Sequence, residues 1–498
     1  MHFRIQIVTI TDDGTEETHE IADLQRAETR METLGLTLAE NKQVLHDLQQ
    51  TVVQQQVEVY LEQQRCCPHC QKKRQSKDSD FAPFRTLFGT ISVSNPRWHC
   101  CACQKQKTKT FRPLTALLPE RTSPELLYLE TKWASLVSYG VTSQLLHEVL
   151  PIDHKHSAPT VRNHLLRLAQ RSEQAMGTEK AMFVEGSQAE RDRLPIPDGP
   201  LAVGIDGGIV RARRGTSGEK SSNLFEVIAG KSILSFRRED PEDAPPSSKC
   251  FALVQGVDKK PKRRLFALLQ AQGMQANQQV TFFSDGGDNV RRLPHYLHRA
   301  SEHILDWFHI TMRLTVLQQC ARGLKPPMIP KKDDGSTEKE EESIERRLES
   351  VKHYLWHGNS VKALDRLSDL EADLDNWGCD EDGKKTLQPD SEAAARMLKY
   401  VRELDTYIAN NASFIVNYGE RYRNKERIST GFVESTINQV VSKRMVKKQQ
   451  MQWTPRGAHL LLQVRTQVLN EDWEDTFRKW YPNFRPEEVA APAMLMAA

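Results

Sequence analysis

Leu201-Ala-Val-Gly-Ile-Asp206-Gly-Gly-Ile-Val-Arg211 is an apolar, branched run with a single acid at its middle. Leu201 to Ile205 has the composition of a buried strand, and Ile209 and Val210 prolong it before Arg211, Arg213 and Arg214. A carboxylate among buried apolar residues is costly unless it is paired or binds a metal, so Asp206 needs a partner. Gly207 and Gly208 carry no side chain and let a phosphate or another backbone come close. The plain alternative is a turn acid between glycines, and the order of elements that follows weighs against it.

A second strand-like run covers Leu224 to Ala229, with Ile233 to Phe236 behind it, and a third covers Phe251 to Gly256. Arg263 to Met274 reads as a helix, with Leu265, Phe266, Leu268 and Leu269 on its apolar face. Val280-Thr-Phe-Phe-Ser-Asp285 is a strand that ends on an acid. A short helix at 291–298 and a fifth strand from His303 to His309 lead into a helical stretch from Ile310 to Leu324. Three strands, a helix, a strand, a helix and a strand form the ribonuclease H-like order. That fold places acids on its first strand, at the end of its fourth and on a later helix. Asp206 and Asp285 fill the first two places. Glu434 in Phe432-Val-Glu-Ser-Thr-Ile-Asn438 fills the third; helical spacing puts Asn438 on its face, with Lys443 and Arg444 beyond. Glu420 and Glu426 compete for the role from a charged stretch that reads as solvated.

The segments Ile205-Asp-Gly-Gly, Phe283-Ser-Asp-Gly-Gly-Asp-Asn289, Leu305-Asp-Trp-Phe-His309 and Gly431-Phe-Val-Glu-Ser-Thr-Ile-Asn438 resemble those of DDE transposases of bacterial insertion sequences. So does the tail from Met451 to Arg465, which is similar to the family's closing Trp and Gly-Ala motif. Within that family the chain resembles the ISKra group, from Cys67 to Trp473. The resemblance implies a catalytic triad of Asp206, Asp285 and Glu434. It also implies that Asp306 and His309 match the Asp-x-x-His motif of related Mutator-type transposases, with an auxiliary role.

Six of the 9 cysteines lie in Cys66-Cys67-Pro-His-Cys70 and Cys100-Cys101-Ala-Cys103. Cys67, Cys70, Cys100 and Cys103 have the spacing of a four-cysteine zinc ribbon, and the family resembles this reading too. Cys66 and Cys101 are then spare, and a shift of register would recruit either. Lys72, Lys73, Arg74 and Lys77 flank one knuckle and Lys105, Lys107 and Lys109 the other, which suits either phosphate contacts or a solvated surface. Further on, Ser123-Pro-Glu starts a group of helices. Its last helix, after Ser157, turns Val161, Leu165, Leu168 and Ala169 inward and Arg162, Arg167 and Arg171 outward. That is a helix-turn-helix candidate, although any small helical bundle shares the pattern.

The expected organisation is an N-terminal strand and long helical region over 1–64, with the helix running from Ile21 to Gln64 as a coiled coil or as a helix packed on its own domain. A zinc ribbon over 65–115 and a helix-turn-helix-like domain over 120–180 follow. The ribonuclease H-like α/β core begins at 200–320, is interrupted by an all-helical insertion at 321–425, and is completed at 426–482. With a net charge of +3, nucleic-acid binding rests on clusters: Arg211 and Arg213, Lys259 to Arg264, and Lys443, Arg444, Lys447 and Lys448. Neither a signal peptide nor a membrane-length apolar run is evident, so a cytoplasmic, nucleoid-associated protein is expected.

Three converging carboxylates repel one another unless cations sit between them, so two magnesium or manganese ions are expected, with one structural zinc in the ribbon. The expected partners are double-stranded DNA, both element ends and target, and further copies of the chain as a dimer or larger assembly; no membrane is involved. The expected activity is metal-dependent cleavage and strand transfer. The rivals are a ribonuclease H-like nuclease and a DNA-binding regulator with an inactive core.

Overall fold

The computed structural model describes the chain except residues 12–13, 104–108, 154–155, 185–186, 198, 214–222, 235–246, 288–300, 325–342, 377–390, 447–451 and 486–498, and except the side chains of Gln188, Ser391 and Glu434. Arg214, Lys105, Lys107, Lys447, Lys448 and the expected helix at 291–298 lie outside the described residues. The architecture is mixed α/β, about half helical. It forms two compact units, residues 1–170 with 471–498, and residues 171–470.

The first unit opens with a hairpin of β1 (His2–Ile10) and β2 (Glu16–Gln25). The helix expected from Ile21 is therefore a strand as far as Gln25, and α1 spans only Leu38–Gln63. The reason lies at Thr37: its hydroxyl accepts the Glu40 N–H while the Glu40 carboxylate accepts the Thr37 N–H. This reciprocal cap marks a helix start that the apolar pattern alone does not reveal. Val53, Val57 and Leu61, one helical turn apart, pack on the sheet of β3 (Ser76–Thr86), β4 (Gly89–His99) and β5 (Thr110–Phe111), beside Ile91, Val93 and Trp98. So α1 is a helix packed on its own unit.

A short helix α2 (Leu114–Leu117) precedes α3 (Pro124–Leu136), α4 (Tyr139–Val149) and α5 (Ala158–Ala175). Ser123 and Ser138 cap α3 and α4, each accepting a backbone N–H from the first turn. Val161, Leu165, Leu168 and Ala169 are buried, whereas Arg162 and Arg167 are exposed. Glu130 of α3 is fully buried. Its Oε2 lies 2.8 Å from Nε2 of the buried His156, and its Oε1 meets Nδ1 of His164 on α5. Nothing in the sequence pattern marks Glu130, because a lone glutamate on a helix ordinarily faces water.

In the second unit, after α6 (Gln188–Arg191), come β6 (Leu201–Arg211), β7 (Leu224–Ile233), β8 (Ser248–Val254), α7 (Pro261–Ala271), β9 (Val280–Ser284) and β10 (Ser301–Leu305). They make one five-stranded sheet in the order β10-β9-β6-β7-β8. β7 runs antiparallel to both β6 and β8; β9 and β10 run parallel to β6. The helices α8 (Trp307–Gly323), α9 (Ile344–Trp356), α10 (Ser360–Asp375) and α11 (Ser391–Asn411) come next. Then follow α12 (Tyr418–Arg423), α13 (Gly431–Ile437), a π-helical segment (Asn438–Val446) and α14 (Pro455–Leu469), with α15 (Trp473–Trp480) returning to the first unit.

Alternation along β6 sorts the core into two layers. Leu201, Val203 and Ile205 meet Leu265, Leu268 and Leu269 of α7 on one face. On the other, Phe283, Ile304 and Leu305 join Leu314 and Leu317 of α8, Leu348, Val351 and Leu355 of α9, Leu367 and Leu370 of α10 and Met397, Val401 and Leu404 of α11 in a single core. These helices thus share one core with the sheet. Among the described residues no helix is long and apolar enough to cross a membrane.

Candidate functional site

Strand register decides which acids meet. Ile205 of β6 is opposite Ser284 of β9, and Ser284 is opposite Leu305 of β10. The next residue along each strand is an acid: Asp206, Asp285 and Asp306. Three neighbouring parallel strands about 4.8 Å apart therefore present three carboxylates at one level. The Asp306 N–H donates to Ser284 O at 2.9 Å, which locks the β9–β10 level.

Asp206 occupies the face of β6 that carries Gly204 and Gly208, two residues to either side. A Cβ at Gly204 would fall 2.0 Å from Cγ2 of Val433, and one at Gly208 would touch Cγ2 of Ile437 at 3.5 Å. The glycines thus let α13 lie directly across Asp206; Gly207, by contrast, faces Glu226. Glu434 is on α13 between Val433 and Ile437, but its side chain lies outside the described residues.

Burial pushes the Asp206 carboxyl above the usual carboxylate range; the Gly207 N–H and His309 pull it back, while the charges of Asp285 and Asp306 push it further up. Its Oδ1 accepts the Gly207 N–H at 2.8 Å, and Asp285 Oδ1 accepts that of Gly287 at 3.0 Å. Asp306 is fully buried and committed elsewhere. It caps α8 by accepting the Phe308 N–H at 2.8 Å, accepts Nδ1–H of His309 at 2.8 Å, and accepts the hydroxyl of Thr430, just ahead of α13. One carboxylate thereby braces both His309 and the approach to the Glu434 helix. The hydrogen bond to Asp306 is the main cause that raises His309 above the ordinary imidazole range, with Asp285 and Asp206 adding to it against burial.

Two groups of described side chains have the convergence a metal ion requires, and neither includes Asp206 or Asp285. The first is Cys67, Cys70, Cys101 and Cys103. Sulfur separations are 3.4 Å for Cys67–Cys103, 3.2 Å for Cys70–Cys101 and 3.5 Å for Cys70–Cys103. Four thiolates around a zinc ion sit about 3.8 Å apart, as Zn–S bonds of about 2.3 Å require, so a small expansion accommodates the ion. The cluster corrects the expected set: Cys101 takes the place of Cys100. Cys100 is held in the strand ladder through its N–H to Lys109 O at 2.9 Å, and the chain turns only afterwards. Backbone N–H groups of Cys70 and His69 draw the Cys67 thiol down to about 6, the leading cause being Cys70; Cys103, beside Cys101, is pushed up to about 12. Gln71 closes this knuckle in the left-handed region at φ 57, a conformation that costs a side-chain-bearing residue about 1 kcal/mol. Purified Cys101→Ser is expected to lose its zinc by elemental analysis and to unfold at lower denaturant, whereas Cys100→Ser keeps one zinc per chain.

The second group, Glu173, Asp258 and His459, already holds a cation. The guanidinium of buried Arg264 donates to Asp258 at 2.9 Å, to Glu173 at 2.7 Å and to Gln463. Gln463 in turn donates to Ala252 O at 3.1 Å, tying α5, α7, β8 and α14 together. Arg264 is therefore a packing residue, not the phosphate clamp its basic neighbours suggest; Lys260 and Arg263 likewise donate to Glu173 O and Met176 O at the end of α5. Arg444 needs the same correction, since it is buried and stacked 5.2 Å from the Trp453 ring. Lys443, Arg211 and Arg213 are exposed.

Burial opposes ionisation of Glu173, yet His459 and Arg264 bring it from 4.5 down to about 2. A depressed acid stabilises the fold above its unfolded value and loses that contribution as pH falls toward its folded one. Wild type is expected to lose roughly 3 kcal/mol from this group between about pH 5 and pH 2. Urea melts across that window should show a shallower loss for Glu173→Gln.

No protein-family model and no curated protein matches the chain.

Proposed function

We propose that the chain is a DNA transposase of the DDE type, with a ribonuclease H-like core that cleaves and joins phosphodiester bonds. The observation that carries this reading is the register that sets Asp206, Asp285 and Asp306 at one level on three adjacent parallel strands, under α13. The sheet order, three antiparallel strands followed by two parallel ones, supports the same fold. The four-cysteine cluster and the three helices with exposed Arg162 and Arg167 are suited to gripping DNA outside the core.

The donors fit magnesium or manganese. They are carboxylate oxygens, hard ligands for hard cations, and the charge crowding that raises Asp206 is what a cation relieves. Asp206, Asp285 and Glu434 would hold two such ions, which activate a hydroxyl nucleophile and polarise the phosphoryl group when bound. A neighbouring backbone N–H fixes one oxygen of Asp206 and one of Asp285. Asp306 positions His309, which is coupled electrostatically to Asp285 and Asp206 and, when protonated, would steady a phosphate beside them.

A supercoiled plasmid and a duplex carrying the ends of the encoding element, each with magnesium, calcium or EDTA, test the reading. Cleavage with magnesium and none with EDTA is expected. An equal result with and without a divalent ion would remove the metal-dependent mechanism.

A further inference from the structure

The helical insertion does more at this site than fill space. Asn411, at the end of α11, is buried against Gly286, the residue after Asp285: a Cβ there would fall 2.4 Å from Asn411 Oδ1, and Gly286 has φ +79. One turn back on α11, Tyr407 O accepts the Asn411 side-chain N–H at 2.8 Å. The ring of Tyr407 carries the guanidinium of Arg313 at 4.3 Å. Arg313 lies on α8 one turn beyond His309, so helical spacing puts the two on one face. Arg313 pairs with no carboxylate among the described residues.

From this point a groove of about 720 Å³ opens between α8 and α11, lined by Arg313, Tyr407, Lys399, Arg402, Glu403 and Thr406 among others. Three cations face one carboxylate there. Lys399, Glu403 and Tyr407 follow a four-residue spacing along α11, so the lining runs outward from the acid centre as a track. Arg402 is held by Glu371 at 2.7 Å, and Lys399 lies 3.9 Å from Glu403 in an exposed i,i+4 pair that a phosphate can displace, so Arg313 is the leading charge for a ligand and Lys399 the second.

Resting on the transposase reading above, we propose that this groove binds an unpaired DNA strand as it leaves the acid centre, with Arg313 as its first phosphate contact. The groove is lined by one row of side chains along α11 with Arg313 of α8 beside it, a single track of contacts that suits one extended backbone, and the Tyr407 ring holds Arg313 in place. Tyr407 is then a positioning residue.

The test uses the full chain and a short fluorescent single-stranded oligonucleotide, with a duplex of the same sequence as the second probe. Arg313→Ala and Lys399→Glu are expected to weaken single-strand binding about fivefold or more and to flatten the salt dependence by about 0.7 per lost phosphate contact. Arg313→Lys should recover part of the affinity. Tyr407→Leu should weaken binding as Arg313→Ala does, while Tyr407→Phe, which keeps the ring face, should not. Circular dichroism of each variant checks that it is folded, and Lys399→Glu is a surface change that leaves packing untouched. Wild-type binding with unchanged affinity in Arg313→Ala and Lys399→Glu would overturn the groove alone. A loss confined to the duplex would overturn the single-strand assignment. A wild type that binds neither probe would overturn the groove together with the reading it rests on.

Discussion

Asp206→Asn is expected to abolish DNA cleavage, by about 10³-fold or more, without lowering the stability of the fold. Asparagine has the same shape and can still accept the Gly207 N–H, so only the charge is removed. The direction of the stability change follows from the carboxyl itself. Its folded value is raised, so the folded state prefers the neutral form, and at neutral pH the ionised group costs stability. Removing the charge should therefore leave the unfolding midpoint unchanged or higher, as expected where function is maintained against stability. A divalent ion should reverse the order: magnesium stabilises wild type by binding the folded state, and the variant gains much less. Denaturant melts with and without magnesium, alongside a cleavage assay, read both effects.

Arg264→Met is expected to destabilise the second unit by about 3–5 kcal/mol. The change removes one buried cation and takes a guanidinium donor from Asp258, Glu173 and the Gln463 carbonyl, leaving the two acids, among the described residues, only the Lys260 N–H and His459. Methionine fills much of the volume, so the loss reads the uncompensated carboxylates more than a cavity. Exposed Lys259→Met, in the same basic run, should change stability by less than about 0.5 kcal/mol. Equal effects at the two positions would mean that Arg264 is as solvated as its neighbours.

Arg264 also illustrates what a linear reading misses. In sequence it is one charge among five, and only the packing of α5 and α14 on β8 makes it a core residue. The strands were legible because apolar runs of the right length end on turn residues, and Asp206 and Asp285 stood out as acids where such runs should have none. Asp306 was visible only as part of a motif. Its level beside the other two depends on register, a pairing between segments that no single stretch encodes. Helix order points to Glu434 on α13, while only the close approach of Val433 shows why position 204 is a glycine. In the zinc cluster, Cys100 and Cys101 differ by one residue, and the strand ladder that holds Cys100 settles which is left over. At the N-terminus, a polar cap at Thr37 outweighed a helical pattern that extended too far upstream.

On the proposed reading, the acid centre joins DNA as well as cutting it. The direct measurement incubates wild-type protein and magnesium with labelled duplex ends of the encoding element and an unlabelled target plasmid, and follows label into the target. Joined products that disappear in Asp206→Asn and Asp285→Asn are expected. Label released without joining would make the chain a nuclease. Binding with neither cutting nor joining, in magnesium or manganese, would contradict the catalytic reading altogether.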